Sequence, residues 1–383
     1  MRVTLETPDR RGSDSLKWGK YAGQEVLPLW VADMDFAAPP CVIAALQRRL
    51  AHGVLGYGVV SKSLEETVVR YLQDAYGWAV RAEWLVWLPG LVTGLNVVCR
   101  MSEGGVLTQT PVYPPFLSAP VHSARALTRV PLAFRNNGWQ MDFPALEAAM
   151  RAAGGNAPKT LLLCHPHNPV GRAWTREELA TLADFSVRHD LLVCSDEIHC
   201  DLLLEEKRSH LPFARLSEET ERRSVTLMAP SKTFNIPGLG CAFAVIPDAA
   251  LRRRFMGAMA GIVPHVNVLG LVACEAALKE GGAWRETLLS VLRQNRDRLE
   301  TAVAALPGVS MTRVEATYLA WLDVRALGLA HPVRYFEEHG LGFSDGAEFD
   351  APGWLRCNFG CAPEMLENAI SRFARAVKML RAA

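Results

Sequence analysis

Apolar residues follow two rhythms along the chain. In one they form short unbroken runs: W-L-V-W-L (84–88), T-L-L-L-C (160–164), L-L-V-C-S-D-E (191–197) and S-V-T-L-M-A (224–229). Each run gives way to polar, glycine or proline residues, as strands buried on both faces of a parallel sheet do. In the other rhythm they recur every three or four positions, as in W-T-R-E-E-L-A-T-L-A-D-F-S-V-R-H (174–189). That spacing predicts a helix, with Thr175 as N-cap and Glu178 closing a capping box. Strands alternating with helices predict an α/β core.

The last hundred residues read differently. A helical stretch near 283–305 ends at Pro307-Gly308, followed by a strand at T-Y-L-A-W-L-D-V (317–324) and a helix after Pro332. A short strand at W-L-R-C-N-F-G and a final helix from Pro363 complete the pattern of a smaller α+β domain. The first forty residues contain little helix and are expected to pack against it. One continuous helix around 265–305 is expected to join the two domains. No internal repeat or low-complexity linker is apparent.

Composition narrows the function classes. Forty-one basic residues against forty acidic ones leave a formal charge of +1, so no charge excess points to nucleic acid or a membrane. The start, M-R-V-T-L-E-T-P-D-R-R, has no apolar core of a secretion signal, and no apolar run approaches the roughly 20 residues of a membrane span. Nine scattered cysteines, with no C-x-x-C pair, predict reduced core thiols and a cytoplasmic location.

Ligands of doubly wound sheets bind beyond the carboxyl ends of the strands. After 84–88 comes P-G-L-V-T-G-L-N, which is either a plain tight turn or a helix start with amides free for a phosphate. After 160–164 comes H-P-H-N-P-V-G-R, where Asn168 either aims its amide at a ligand or makes an Asx turn. Cys164, His165 and His167 do not make a convincing metal set, because neighbouring side chains on a strand face opposite ways. After 191–195 comes D-E-I-H-C-D, in which Asp196 needs a cationic partner, on the surface or in a site. After 224–229 comes A-P-S-K-T-F-N-I-P-G-L-G (229–240), with no other charge between Arg223 and Asp248. A phosphate cradle, an amide, a carboxylate and a lysine match the needs of pyridoxal phosphate. That cofactor condenses with a lysine amine and keeps its ring nitrogen protonated through a carboxylate. Tyr113 is a candidate to stack on the ring.

With these residues placed, the chain resembles the fold-type I pyridoxal-phosphate enzymes of the aminotransferase class I/II superfamily. Within them it is most similar to the MalY/PatB-type cystathionine β-lyase (C–S lyase) branch. The resemblance runs in order through P-L-W-V-A-D-M-D-F (28–36), G-Y-G (56–58), T-P-V-Y-P-P-F (110–116), H-N-P-V-G-R (167–172), S-D-E-I-H-C-D (195–201), P-S-K-T-F-N-I-P-G-L (230–239), T-Y-L-A-W-L-D (317–323) and R-C-N-F-G (356–360). It implies an α/β fold: a large domain (44–280), with a mostly parallel central sheet flanked by helices, and a smaller α+β domain (1–43 with 281–383).

The resemblance also implies roles. Lys232 would form the Schiff base, Asp196 would pair with the pyridine nitrogen, and Asn168 would bond the 3′-oxygen. Tyr113 would stack on the ring. Gly90, Leu91, Val92 and Ser231 would hold the phosphate, and Tyr57 would reach the phosphate of a second subunit in a homodimer with shared active sites. Arg356 would clamp the substrate carboxylate. His199 stands where many aminotransferases carry a tyrosine, and either touches the cofactor or supports it from behind. No arginine follows the lysine to grip the phosphate, and Asn235 occupies that neighbourhood. The implied reaction is α,β-elimination of L-cystathionine or a related cysteine S-conjugate. The alternatives are transamination of an L-amino acid and, more remotely, a non-catalytic cofactor-binding regulator. Regulators of that kind carry a DNA-binding extension, for which the chain shows no room before Pro28.

Overall fold

The computed structural model describes residues 4–154 and 157–382. Residues 1–3 of the opening stretch M-R-V lie outside the described residues. A seven-stranded sheet forms the centre. Its strands are β1 (Leu85–Leu88), β2 (Gly105–Thr110), β3 (Leu127–Pro131), β4 (Pro158–Cys164), β5 (Leu192–Asp196), β6 (Ser224–Met228) and β7 (Ala242–Val245), in spatial order β1-β7-β6-β5-β4-β2-β3. Only β7 runs against the rest. Every residue of β2 and β6 is buried, which accounts for their unbroken apolar or small-residue character. Helices cover both faces, and among them are α1 (Pro40–Ala51), α2 (Lys62–Tyr76), α3 (Leu91–Met101), α4 (Arg176–Arg188) and α5 (Val268–Glu280).

The local signals act as the sequence predicts. Thr175 Oγ1 accepts from Glu178 N at 3.2 Å, and Glu178 Oε2 accepts from Thr175 N at 2.8 Å, closing the capping box of α4. Gly94, one turn into α3, has a packing reason. A Cβ there would come within 2.8 Å of Leu227 Cδ2, so the missing side chain lets α3 lie against β6.

A second sheet of four antiparallel strands follows: β8 (Ser310–Met311), β9 (Leu319–Asp323), β10 (Ser344–Asp345) and β11 (Trp354–Asn358), in order β8-β9-β11-β10. It packs with the helices α6 (Gly282–Ala304) and α7 (Pro363–Ala382). The first forty residues hold one helical turn, Leu16–Gly19, and join this region: Leu27–Pro28 pairs in parallel with Leu341–Gly342.

One expectation is corrected. The stretch 265–305 is not a single helix but two, α5 and α6, parted at Gly281. Gly281 has an ordinary φ of −79°, so backbone freedom is not the reason. A Cβ there would meet Ala277 O and, at 2.5 Å, Phe234 Cε1. The helices change course where the ring of the lysine loop presses against the backbone.

Candidate active site

The sheet brings the carboxyl ends of β1, β4, β5 and β6 together, and each end delivers one group. Past β1, α3 begins at Leu91 with Gly90 as N-cap and no side chain capping it. Its first N–H groups are therefore left for a ligand or water. Leu91 contributes backbone only, since its side chain is buried in the sheet-side core, while Val92 is exposed. Ser231, partly exposed beside the lysine, makes no side-chain hydrogen bond to the described residues.

Past β4, Asn168 is buried, and its Oδ1 accepts from Arg356 Nη1 at 3.1 Å. With the oxygen engaged, its nitrogen is the uncommitted end and can donate to a ligand. Tyr113 is tied to the same loop through its N–H to Asn168 O at 3.1 Å. Burial pushes its hydroxyl up, keeping it protonated.

The two acids past β5 have different surroundings. Glu197 is fully buried and satisfied: Oε2 contacts His210 Nε2 at 2.6 Å, and Oε1 accepts from Ser195 Oγ at 2.8 Å and Phe213 N at 3.0 Å. Asp196, also buried, accepts only from Ile198 N, at 3.2 Å on Oδ1, and its other oxygen bonds nothing among the described residues. Burial, partly offset by that backbone bond and reinforced by the charge of Glu197, raises Asp196 to about 7. A cation beside it would draw it back to the ionised form.

Past β6, Lys232 is partly buried, and its Nζ donates to Ala32 O at 2.6 Å. Desolvation and then the charge of Arg356 lower the amine to about 8, against the pull of Asp33 and Asp196. Arg356, on β11, is the fifth group. It is buried, donates through Nη2 to Trp30 O at 2.9 Å and Ser344 Oγ at 3.3 Å, and lies over the Phe349 ring. No carboxylate pairs with it among the described residues, and its Nε is buried without a partner. Desolvation brings it down to about 10. A buried guanidinium without an acid is poised for an incoming anion, and its planar fork suits a carboxylate.

His199 sits against this group, edge-on to the Tyr318 ring. Burial, then the charges of Lys232 and Arg356, hold it down to about 3, so it is neutral. Its Nδ1 has no partner among the described residues. His165 and His167 turn elsewhere, their Nε2 atoms against Leu211 O at 3.1 Å and Pro111 O at 2.8 Å. No group of three or more His, Cys, Asp or Glu side chains gathers to hold a metal among the described residues.

Two further residues of the sequence reading have other surroundings. Asn235 does not face the phosphate cradle. Its Nδ2 donates to Met34 O at 2.9 Å and Phe36 O at 2.6 Å, and its Oδ1 accepts from Met34 N at 2.9 Å. It ties the lysine loop to the N-terminal segment, so Asn235 does not stand in for the missing arginine. Tyr57 is fully exposed and makes no side-chain hydrogen bond to the described residues, which leaves its ring free to face a second subunit.

The sequence reading also missed groups. Tyr318 donates to Ala32 O at 2.8 Å, beside Lys232, and Asn358 Nδ2 bonds Val31 O at 2.6 Å and Asp33 O at 2.7 Å. The stretches P-L-W-V-A-D-M-D-F and T-Y-L-A-W-L-D pointed to this neighbourhood. The first contributes through its backbone carbonyls, which residue types do not reveal, and the second through the Tyr318 hydroxyl.

A mostly parallel sheet with a lysine, an acid, an amide and a free helix start at one end is the arrangement of fold-type I pyridoxal-phosphate enzymes. The chain belongs to the aminotransferase class I and II family, which matches residues 24–373. It is 35% identical over 387 residues to cystathionine beta-lyase PatB of Bacillus subtilis, spanning 96% of this chain and 98% of PatB. It resembles the crystal structure of OvoB with a TM-score of 0.95 and 48% identity, over 98% of this chain and 99% of OvoB. It also resembles cystalysin from Treponema denticola, a structure containing pyridoxal 5′-phosphate, with a TM-score of 0.93 and 31% identity over 99% of this chain and 100% of cystalysin.

Proposed function

We propose that the protein is a pyridoxal-phosphate-dependent carbon–sulfur β-lyase, cleaving L-cystathionine or a related cysteine S-conjugate to a thiol, pyruvate and ammonia. The observation that carries the site assignment is the convergence of Lys232, Asp196 and Asn168 on a buried Arg356 that has no acidic partner. The choice of carbon–sulfur cleavage rests on the likeness to PatB, since transamination uses the same groups.

The residues fit the cofactor. The N–H groups at Gly90, Leu91 and Val92, with the Ser231 hydroxyl, would hold its phosphate. The Tyr113 ring would stack on it, and Asn168 would donate to the 3′-oxygen through the nitrogen that Arg356 leaves free. Asp196 would keep a proton on the ring nitrogen, and that cation would draw the carboxyl from about 7 back to its charged form. When bound, pyridoxal phosphate supplies an aldehyde for the amino group and a ring that accepts the electron pair left at the α-carbon.

This chain's groups do the rest. Arg356 fixes the substrate carboxylate, which orients the α-hydrogen towards Lys232. Lys232, lowered to about 8, takes that proton as the base. The β-carbon–sulfur bond then breaks, its electron pair leaves with sulfur, and the thiolate picks up a proton. Hydrolysis of the remaining enamine gives pyruvate and ammonia. His199 stays neutral behind Lys232 and adds no charge to compete with Arg356.

Incubation with L-cystathionine and no keto acid tests this. Stoichiometric thiol and pyruvate are expected. Activity that appears only when a keto acid is supplied would make the protein an aminotransferase instead.

Three further readings belong to the same proposal. The protein acts as a homodimer, supported by the exposed apolar group Val54, Leu55, Tyr57 and Val59. Residues 44–280 form one domain, and residues 1–43 with 281–383 the other. The location is cytoplasmic, supported by nine free cysteines, eight of them buried. No helix among the described residues is long and apolar enough to cross a membrane.

A further inference from the structure

Residues Trp30–Phe36 cross the site as a strap with two acidic residues, Asp33 and Asp35, and four cations reach it. Arg356 and Lys232 take the carbonyls of Trp30 and Ala32. Lys17, itself fully buried, bonds Asp35 Oδ2 at 2.6 Å and Asp33 O at 3.2 Å. Arg10 bonds Asp33 Oδ2 at 2.6 Å, Ser15 Oγ at 2.8 Å, Asp35 Oδ1 at 2.9 Å and Met34 O at 3.0 Å.

The two strap acids are not equivalent. Asp35 is held three ways, by Arg10, Lys17 and Trp18 Nε1 at 2.9 Å. Asp33 is held by Arg10 alone, and its Oδ1 is buried with no partner among the described residues. Asp33 adjoins Ala32, whose carbonyl carries the lysine amine. The charged and titratable groups facing that amine are Asp33 from the strap, Asp196 past β5, Arg356 on β11, and the neutral Tyr318 and His199. Of the two acids, Asp33 acts on Lys232 more strongly than Asp196. Lys17 is committed to Asp35, whereas the present partner of Lys232 is an uncharged carbonyl. A carboxylate deprived of Arg10 therefore has two cations without an acidic partner near the strap, Lys232 and Arg356, and Lys232 is the one held by the carbonyl of the adjoining residue, Ala32.

We infer that Arg10 is a positioning residue for the proposed reaction: by holding the Asp33 carboxylate it prevents that carboxylate from pairing with Lys232 and leaves the amine free to take the α-proton. The inference rests on Lys232 being the base. It gives the N-terminal segment, far from the lysine in sequence, a part in setting the lysine's readiness.

The test is a double-mutant cycle in the holoenzyme with Arg10→Met, Asp33→Asn and the pair, plus Arg10→Lys. The readouts are the pH profile of kcat/KM on L-cystathionine and the pH midpoint of the bound cofactor's visible absorbance. Arg10→Met is expected to move both upward by about one pH unit, costing about tenfold in kcat/KM at pH 7. Asp33→Asn in the Arg10→Met background is expected to return both to the Asp33→Asn values, and Arg10→Lys to retain most of the wild-type profile. An Arg10→Met defect that Asp33→Asn does not relieve would make Arg10 a mere scaffold and overturn the inference, as would an unchanged profile in Arg10→Met. Failure of the underlying reading looks different: Lys232→Ala would then keep turnover and absorbance, whatever the cycle shows.

Discussion

Arg356 and Lys232 are both cations stripped of water, and burial lowers both, but with different consequences near neutral pH. The guanidinium stays charged at any working pH, even when lowered to about 10, and its charge helps to bring the amine to about 8. In the proposed reaction one residue therefore binds the substrate's carboxylate and readies the base beside it. Arg356→Lys keeps the charge but loses the fork, so KM for the amino acid is expected to rise by about 10- to 100-fold, or about 1.4–2.8 kcal/mol, with a smaller fall in kcat. Steady-state kinetics on one substrate separates the two. Lys232 acts as a base only when neutral. With the amine near 8, the neutral fraction is about a tenth at pH 7 and about nine tenths at pH 9, so kcat/KM is expected to climb across that window. A profile flat from pH 7 to 9 would remove Lys232 as the titrating base. On the proposed assignment, Asp196→Asn leaves the ring nitrogen without its counter-charge. Turnover should fall by about a hundredfold or more, the consequence of losing roughly 3 kcal/mol from a buried ion pair. The residue types at these strand ends were legible because a lone lysine or an unpaired aspartate in an apolar stretch demands an explanation. The job of Asn235 was not, because an amide's partners are fixed by which backbone passes it, and the strap arrives from the far end of the sequence.

At the scale of elements, the strands were the most readable part. A strand buried on both faces has no polar positions to blur its pattern, and β4, β5 and β6 fall within a residue or two of their apolar runs. Helix α4 was readable for a different reason: its start is written in two side chains that bond each other. Thr175→Ala removes one half of that box and should cost about 1 kcal/mol in urea unfolding while leaving kcat unchanged, since Thr175 touches none of the site. The junction of α5 and α6 was not readable. Its cause is a tertiary contact, the Phe234 ring against Gly281, and neither the apolar period nor the glycine's own backbone marks it. That contact links the helix junction to the loop two residues beyond Lys232. Gly281→Ala is expected to destabilise the fold by about 1–3 kcal/mol, as overpacking does. It should also weaken cofactor retention by displacing the lysine loop, which dialysis followed by absorbance would measure. Normal retention in a destabilised variant would show that the loop absorbs the strain elsewhere.

At the scale of the whole molecule, the proposed assignment leaves the site of one chain short of a group on its phosphate side. No arginine follows the lysine, Asn235 is spent on the strap, and the cradle is left with backbone N–H groups and one hydroxyl. Meanwhile Tyr57 stands fully exposed on a loop with Val54, Leu55 and Val59, an apolar group that a free monomer in water has no reason to display. The loop is not simply loose, because Gly58 packs closely on Val268 at the start of α5, where a Cβ would meet Val268 Cβ at 3.2 Å. A deficit at the cradle and a surplus on the loop are both removed if two chains exchange loops about a two-fold axis, each Tyr57 completing the partner's site. Hybrid dimers decide this. Lys232→Ala and Tyr57→Ala are each expected to be nearly inactive, the first without a base and the second with weakened phosphate binding. Unfolded together and refolded, half the dimers are mixed, and each mixed dimer carries one site with both native residues. Activity should then rise to about a quarter of wild type, as two-fold pairing requires. If the mixture shows only the average of its two inactive parents, Tyr57 serves no partner, and the exposed loop must be explained without a shared site.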